Sequence, residues 1–307
     1  GAQRIDAASL DNAQGIVSGE SDVTLSIAGK LDNGQGGLVS AQRALSFERD
    51  DTLLNNAGGR INGGSLLLKG ASLDNSDGQL ISQGRLDAIL GGALVNTGAA
   101  RLASGGDLLL RSASVDNRGG KLVSQGLLEI SAGSLDNGAG GVLNSAKGWL
   151  KLVTGLFDNS AGVTQAQSLE IRAGQGVRNQ QGHLSALGGD NRIVTADFDN
   201  QGGGLYASGL LSLDGQRFLN QGAAAGQGGK VGAGRIDFSL AGALANRFGQ
   251  LESESELHLR AAAIDNSGGS LRALGRSGST RLVAGGLNNA YGVLESANQD
   301  LDLQLGS

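Results

Sequence analysis

Fourteen asparagines recur along this chain of 307 residues, with a mean spacing of about 21 residues. Ten of the thirteen intervals are 19 to 22 residues long, and an apolar residue precedes each asparagine by two positions. The recurring residues are Asn12, Asn33, Asn56, Asn75, Asn96, Asn117, Asn137, Asn159, Asn179, Asn200, Asn220, Asn246, Asn266 and Asn289. A fixed period of this length is typical of one supersecondary unit stacked many times. The chain is therefore predicted to be a solenoid from end to end.

Alignment on these asparagines gives the repeat L-D-N-x-x-G-G-x-L-x-S-x-G-x-L-x-L-x-A-x-x. Residues 73–93, for example, read LDNSDGQLISQGRLDAILGGA. Apolar and polar residues alternate over short stretches that are separated by Gly, Ser, Asn or Asp, a pattern that indicates short strands. No stretch has helical periodicity with caps. The sequence thus predicts an all-β structure.

The length of the repeat selects among all-β folds. About 21 residues at ~3.3 Å each span roughly 70 Å, enough for one turn around a triangular cross-section, and hydrogen-bonded turns stack at ~4.8 Å. We therefore expect a right-handed parallel β-helix (β-solenoid) of about 14 turns and about 65 Å in length, with its hand taken from the general rule for parallel crossovers. Residues 1–307 would form one array, with irregular turns or insertions at 222–243 and 267–286, where the spacing lengthens to 26 and 23 residues.

The recurring asparagine has a structural explanation in such a fold. An inward-pointing carboxamide needs partners for its carbonyl and its NH₂ group away from water. Stacked amides supply them by passing hydrogen bonds from turn to turn. We therefore predict that the fourteen asparagines form a structural ladder and not a ligand site. Two residues earlier, Phe157, Val177, Phe198 and Phe218 are predicted to form a stacked core stripe.

The repeat resembles that of filamentous-haemagglutinin-like proteins, the large exoproteins of Gram-negative two-partner secretion, which include adhesins and contact-dependent growth inhibition proteins of the CdiA type. The motif is seen at residues 31–40, 73–86, 115–128 and 135–152. The sequence also begins and ends inside the repeat without a capping segment, which a free solenoid needs to stay soluble. We therefore expect it to be a fragment of a longer protein.

The resemblance implies a structural shaft segment of a secreted, cell-surface filamentous adhesin or toxin-delivery protein, which provides reach and mediates contact with neighbouring or host cells. It implies export through an outer-membrane two-partner-secretion transporter, display outside the Gram-negative outer membrane, and a receptor protein or glycan as partner. Two alternatives stay open: a glycan- or protein-receptor-binding module within the shaft, and a polysaccharide-degrading β-helix enzyme.

Composition and motifs narrow these alternatives. Cysteine is absent, which excludes thiolate chemistry and cysteine-based metal sites. The net charge of −5 without a basic tract argues against nucleic-acid binding, and no apolar run is long enough for a membrane span. His183 and His258 lie 75 residues apart, and no catalytic motif occurs; residues 226–230, GQGGK, lack the full phosphate-loop pattern. We expect no enzyme activity, no catalytic or metal-binding residue and no cofactor.

Three outward-facing features remain as candidates for binding. Aspartates precede eight of the asparagines, and we interpret them as turn caps, with weak calcium binding as the alternative. Trp149 and Lys151 alternate with Leu150 and Leu152, so they are a candidate partner contact if the leucines face the core. The alternation of Glu252, Glu254 and Glu256 predicts one acidic strand face. The aspartates are Asp11, Asp32, Asp74, Asp116, Asp136, Asp158, Asp199 and Asp265.

Overall fold

A computed structural model describes residues 1–306 of the chain. These residues form strands joined by turns, without a helix, in a parallel β-solenoid of about 14 turns spaced by about 21 residues. The predicted fold class is therefore confirmed, while the hand of the solenoid stays a prediction. The chain divides into two compact units, Gly1–Thr154 and Gly155–Ser307, which are described in turn.

The first unit consists of short strands separated by tight turns. Its strands are β1 (Gln3–Ala7), β2 (Leu10–Asp11), β3 (Ile16–Gly19), β4 (Val23–Ile27), β5 (Lys30–Asp32), β6 (Leu38–Phe47), β7 (Leu53–Asn55), β8 (Arg60–Gly70), β9 (Ser72–Asp74), β10 (Gln79–Ser82), β11 (Leu86–Leu90), β12 (Ala93–Val95), β13 (Arg101–Ser104), β14 (Leu108–Asp116), β15 (Lys121–Ser124), β16 (Leu128–Asp136) and β17 (Val142–Ser145). The boundary between the units falls within β18 (Trp149–Asp158).

The second unit has the same organisation. Its strands are β19 (Val163–Ala166), β20 (Ser168–Arg178), β21 (His183–Ala186), β22 (Asn191–Thr195), β23 (Asp197–Asp199), β24 (Gly204–Gly215), β25 (Arg217–Leu219), β26 (Lys230–Leu240), β27 (Ala243–Ala245), β28 (Gln250–Ser253), β29 (Leu257–Ala261), β30 (Ala263–Asp265), β31 (Ser270–Ala273), β32 (Ser279–Ala284), β33 (Leu287–Asn288), β34 (Val293–Ser296) and β35 (Asp300–Leu305).

Parallel pairing arranges the strands of the first unit in three stacks. The first stack is β1–β4–β6–β8–β11–β14–β16, the second is β2–β5–β7–β9–β12–β14, and the third is β3–β6–β8–β10–β13–β15–β17. Each pair joins equivalent residues of successive repeats, as Leu54 pairs with Leu73 and Leu73 with Leu94. Equivalent side chains therefore lie in columns along the stacking direction.

The second unit repeats the three stacks. They are β20–β22–β24–β26–β29–β32–β35, then β20–β23–β25–β27–β30–β33, and finally β19–β21–β24–β26–β28–β31–β34. In the two long intervals the extra residues fall in connections, at 220–229 before β26 and at 274–278 before β32. The strands on either side keep their register, as Leu205 pairs with Val231 and Leu259 with Leu282.

The interior of each unit is filled by the inward-facing members of these columns, mostly leucine, isoleucine and valine. In the second unit Val177, Phe198 and Phe218 pair in register and are buried, as is Phe157. The Phe198 and Phe218 ring centroids are 5.5 Å apart. Phe218 also meets Phe238 of the first stack edge-on at 5.1 Å, a contact across the core that the repeat alone does not indicate.

Candidate functional site

A corner between the second and third stacks carries the recurring asparagines. Each second-stack strand ends one residue before its asparagine, as β5 ends at Asp32 and β9 at Asp74. The chain then turns sharply into the third stack. Because successive turns are in register, the asparagine side chains of neighbouring turns point at each other inside the corner.

In the first unit these side chains form a continuous chain of hydrogen bonds. Asn12 donates its Nδ2 hydrogen to Oδ1 of Asn33 at 2.7 Å, and the same bond recurs at each step as far as Asn137, at 2.6–2.7 Å. The donors all point toward the following turn, so the ladder has one direction. All of its members are buried.

The second unit contains an equivalent ladder. It runs from Asn159 through Asn179, Asn200, Asn220 and Asn246 to Asn266, which donates to Asn289. The distances are 2.6–2.8 Å, including the step across the 26-residue interval from Asn220 to Asn246. The inserted residues therefore leave this corner unchanged.

Backbone carbonyls take up further donor capacity of each carboxamide. Besides its bond to Asn137, Nδ2 of Asn117 lies 3.2 Å from the carbonyl oxygen of Gly120 and 3.3 Å from that of Val142. A buried amide loses little on folding when its donors and its acceptor all find partners. The corner thus holds its buried polar groups without leaving them orphaned.

The turn after each asparagine depends on an unusual backbone conformation. In most turns the N–H of the residue three positions on donates to the asparagine carbonyl, as Gly78 does to Asn75 at 2.9 Å. The residue two positions after the asparagine has a positive φ in these turns, even where it is not glycine: 54° at Asp77 and 57° at Gln181. This left-handed conformation costs free energy in residues with a side chain, so it persists only because the surrounding contacts of the corner hold it in place.

The glycine that closes the turn has a steric reason. A Cβ built on Gly120 would collide with the carbonyl oxygen of Asn96 in the preceding turn, and one on Gly203 would collide with that of Asn179. Ala100 occupies the closing position in one turn, and there its N–H donates to Thr97 instead of the ladder residue, at 3.3 Å. Gly37 and Gly141 close their turns in the same way, by donating to Gly34 and Gly138, so this form of the turn does not depend on a side chain at the closing position.

The aspartates before the ladder cap these turns. All eight accept the N–H of the residue two positions on, at 2.8–3.2 Å, as Asp32 does from Gly34. The Lys30 ammonium, together with that N–H, holds the pKa of Asp32 below its usual range, and the Arg118 guanidinium does the same to the pKa of Asp116. Within residues 1–306 no three acidic or histidine side chains are grouped as a metal ion would require.

Trp149 and Lys151 lie together on the outer surface of β18, in the part that belongs to the first unit. Leu150 and Leu152 between them are buried, and the tryptophan is 43% exposed. The Lys151 ammonium lies 5.9 Å from the centre of the indole ring, within the range of a cation–π contact. The pair therefore presents an accessible aromatic face beside a positive charge.

The remaining candidates do not form a catalytic constellation. His183 is exposed, and His258 bonds to the Ser279 hydroxyl at 2.8 Å. The predicted acidic strand face is wrong, because β28 ends at Ser253 and the chain then turns a corner at which Ser255 Oγ donates to the Gly234 carbonyl. Glu254 and Glu256 lie in this connection and not on the strand with Glu252.

Comparison with known families gives a match that fits this geometry. The haemagglutinin repeat family matches residues 1–46, 16–89 and 231–304, which together make up more than half of the chain. The chain belongs to the haemagglutinin repeat family. This is a structural, adhesin-type family and not an enzyme family, and its members are typically secreted surface adhesins. The resemblance predicted from the repeat motif is thereby confirmed.

Two other comparisons, with curated proteins and with solved structures, gave no match. Residues 1–306 contain no helix with the length and apolarity needed to cross a membrane.

Proposed function

We propose that this chain is a shaft segment of a secreted filamentous protein displayed outside the Gram-negative outer membrane. The parent protein would be an adhesin or a contact-dependent inhibition toxin-delivery protein. It would leave the cell through an outer-membrane two-partner-secretion transporter and meet a receptor protein or glycan on a neighbouring or host cell. In that protein, this segment would act as a spacer that adds length to the shaft.

The observation that carries this proposal is that the same hydrogen-bonded corner closes turn after turn. A catalytic protein concentrates its unusual residues in one place, whereas here a buried asparagine recurs in thirteen successive turns, from Asn12 to Asn266. Membership of an adhesin-type repeat family supports the same conclusion. Each turn adds ~4.8 Å of hydrogen-bonded length, and each interacts with its immediate neighbours, so length is set by the number of repeats.

The proposal is tested by changing the number of turns in the full-length protein on cells. Deleting residues 117–136 joins Asp116 to Asn137 and removes one whole repeat in register. Deleting other single repeats from either unit provides matched variants, and duplicating residues 117–136 provides the reverse change. We expect cell contact to fall with the number of turns removed, whichever turns they are, and to be restored by duplication. Loss of contact on deletion of one particular repeat, with no effect of the others, would contradict a purely spacing role.

A second candidate function is receptor binding at Trp149 and Lys151, which the exposed indole and its neighbouring ammonium favour. An exposed aromatic ring beside a lysine is suited to stacking on a sugar or anchoring a protein contact. Replacing Trp149 by Ala should then reduce cell adhesion several-fold without changing the fold. Tyr206→Ala is the control, since Tyr206 is 42% exposed on the second unit. Equal adhesion by both variants and the parent would remove this candidate.

A further inference from the structure

One ladder corner of the second unit is longer than the others. Across residues 1–306 the third-stack strands begin four or five residues after the ladder asparagine, except that β26 begins at Lys230, ten residues after Asn220. Removing residues 223–228 would leave the sequence N-Q-G-G-K, which nearly matches the N-R-G-G-K of the ordinary corner at 117–121. The ladder bond from Asn220 to Asn246 forms across the insertion at 2.8 Å. The six extra residues are therefore additional to what the corner needs.

The insertion lies beside a notch in an outward-facing column. His183 pairs in register with Gly204, and Gly204 pairs with Lys230. Since Gly204 has no side chain, the column has a gap between an imidazole and an ammonium whose strands are two turns apart, ~9.6 Å along the stacking direction. A Cβ built on Gly204 would lie 2.6 Å from Nδ1 of His183, so the imidazole leans over the gap.

A cavity of about 380 Å³ occupies this notch. It is bounded by the side chains of His183, Lys230, Gln181 and Gln227, and by glycines of the 202–204 turn and of the insertion. The four side chains are exposed, so the cavity is open to solvent. Its lining contains no hydrocarbon side chain and no carboxylate. The cavity is therefore suited to a small, strongly polar ligand.

Three hydrogen-bond donors at the cavity have no partner within residues 1–306. No carboxylate oxygen lies within ion-pair distance of the Lys230 ammonium, and the His183 imidazole forms no hydrogen bond. In the preceding corner the N–H of Gln181 donates to the Gln201 carbonyl at 3.1 Å, whereas the equivalent N–H of Gly202 has no acceptor. Donors without partners thus converge on one cavity.

The acidic residue of the neighbouring turn is already paired. Glu252 lies on β28, two residues after Gln250, which is in register with Lys230. It accepts a hydrogen bond from the Arg272 guanidinium at 3.3 Å, on the side away from β26. The positive charge of Lys230 is therefore available to a ligand.

We propose that this cavity binds the phosphate monoester of a small hydroxylated molecule, of which glycerol 3-phosphate is the simplest. The imidazole of His183 leans across Gly204 and the Lys230 side chain is long, so both reach a phosphate placed over Gly204. Glycine-rich turns let backbone N–H groups approach an anion, because no side chain stands in the way. The Gln181 and Gln227 amides both donate and accept, which suits them to hydroxyl groups. This role is additional to the proposed shaft function and does not depend on it.

The lining discriminates between this ligand and other anions. A phosphate monoester carries a charge of about −1.5 to −2 at pH 7, whereas a sulfate ester carries a single negative charge, so the ammonium favours the phosphate. A nucleotide base or a lipid chain gains from aromatic or apolar surface, which this lining does not offer. Preference for a sulfate ester is therefore an outcome that would count against the proposal.

The test is a titration of the whole ¹⁵N-labelled chain at neutral pH, followed by NMR, with glycerol 3-phosphate, methyl phosphate, methyl sulfate and glycerol. Lys230→Gln removes the charge at the cavity. Lys121→Gln is the matched control, because Lys121 begins the third-stack strand β15 after an ordinary corner, is exposed and has no ion-pair partner in the described chain.

Two further variants change the shape of the cavity. Gly204→Gln fills the notch with the side chain that Gln79 carries at the equivalent position of another turn. Deletion of residues 223–228 restores the ordinary corner and removes one wall. Circular dichroism of each variant checks that the solenoid is retained.

We expect glycerol 3-phosphate to bind more tightly than methyl phosphate, methyl sulfate to bind more weakly than both, and glycerol not to bind. Signals of the 202–204 turn and of the insertion should shift. Lys230→Gln should weaken binding by roughly tenfold and Lys121→Gln by less than about twofold, while Gly204→Gln and the deletion should abolish it. Absence of binding to both phosphates, tighter binding of methyl phosphate or methyl sulfate than of glycerol 3-phosphate, equal weakening by the two lysine variants, or full binding by folded Gly204→Gln would overturn the proposal.

Discussion

The second unit buries asparagine in two very different surroundings. At the ladder corner Asn200 accepts a hydrogen bond from Asn179 and donates one to Asn220, both at 2.7 Å. Nine residues earlier Asn191 begins β22 and is just as buried, but it lies in register between Leu169 and Leu211. Neither its Oδ1 nor its Nδ2 has a hydrogen-bond partner in the described chain.

This comparison shows that burial of an amide and hydrogen bonding of that amide are separate properties. Burying an amide without hydrogen bonds costs free energy, whereas an amide whose bonds are replaced inside the protein costs little. Asparagine is therefore valuable at the corner because the turn above and the turn below offer the same group in register. In the leucine column the same residue has no such neighbours, and we expect it to weaken the turn that contains it.

The largest effect is expected from breaking the ladder. Replacing Asn200 by Leu would deprive Nδ2 of Asn179 of its ladder acceptor and Oδ1 of Asn220 of its ladder donor. We expect each lost partner to lower the free energy of unfolding by about 1–3 kcal/mol. Urea unfolding should show this loss as a lower midpoint with little change in slope. A loss below about 0.5 kcal/mol would mean that the ladder contributes little to stability.

A smaller loss is expected from crowding the same corner. Gly203→Ala places a Cβ against the Asn179 carbonyl, and we expect a cost of about 1–3 kcal/mol in unfolding free energy. Gly174→Ala is the control, because nothing lies within 4 Å of a Cβ there. If the two variants unfolded alike, the steric explanation for the closing glycine would be wrong.

Removing the unsatisfied asparagine should have the opposite sign. Asn191→Leu takes two buried polar atoms out of a leucine column, and we expect a gain of about 1–2 kcal/mol. The same unfolding measurement applies, with Asn191→Ala as a variant that removes the amide but leaves a cavity. Destabilisation by leucine would indicate that the amide has a partner, such as a buried water molecule.

The smallest effect concerns a capped turn. Arg118 lowers the pKa of Asp116, so the carboxylate's contribution is present above the unfolded pKa of about 3.9 and is lost as pH falls through the lower folded pKa. At neutral pH Asp116→Asn should cost less than about 1 kcal/mol, since the arginine is solvent-exposed. The difference from the parent chain should vanish in acid. Asp74→Asn, a cap without an arginine partner, should show a smaller change.

The periodic features of the fold were predictable because every turn sees the same neighbours. The β-solenoid, the burial of the residues at Leu31 and Leu54, and the inward direction of the ladder asparagines all follow from one repeat position being stacked on itself. The hydrogen bonds of the ladder are present, while its contribution to stability stays a prediction. The description of residues 1–307 as one array, and as a fragment of a longer protein, also stays a prediction.

Features that occur once were not predictable in this way. The Phe218–Phe238 contact joins two different strand stacks, and no period relates those positions. Glu254 was misplaced because alternation continues in the sequence after β28 has ended. Asn191 resembles any polar residue at a strand start until the pairing with two leucines is known. Sequence periodicity therefore predicts which residues stack in columns, whereas contacts that occur only once are seen only in the three-dimensional structure.

The ladder itself is tested most directly by the exchange of side-chain amide hydrogens in the ¹⁵N-labelled protein. Its donors are buried and hydrogen-bonded to the next turn, so the Asn NH₂ signals of both units should exchange far more slowly than those of the exposed glutamines, and should quicken locally in Asn200→Leu. If the asparagine NH₂ groups exchanged as fast as those of surface glutamines, the claim that these side chains are hydrogen-bonded from turn to turn would be contradicted.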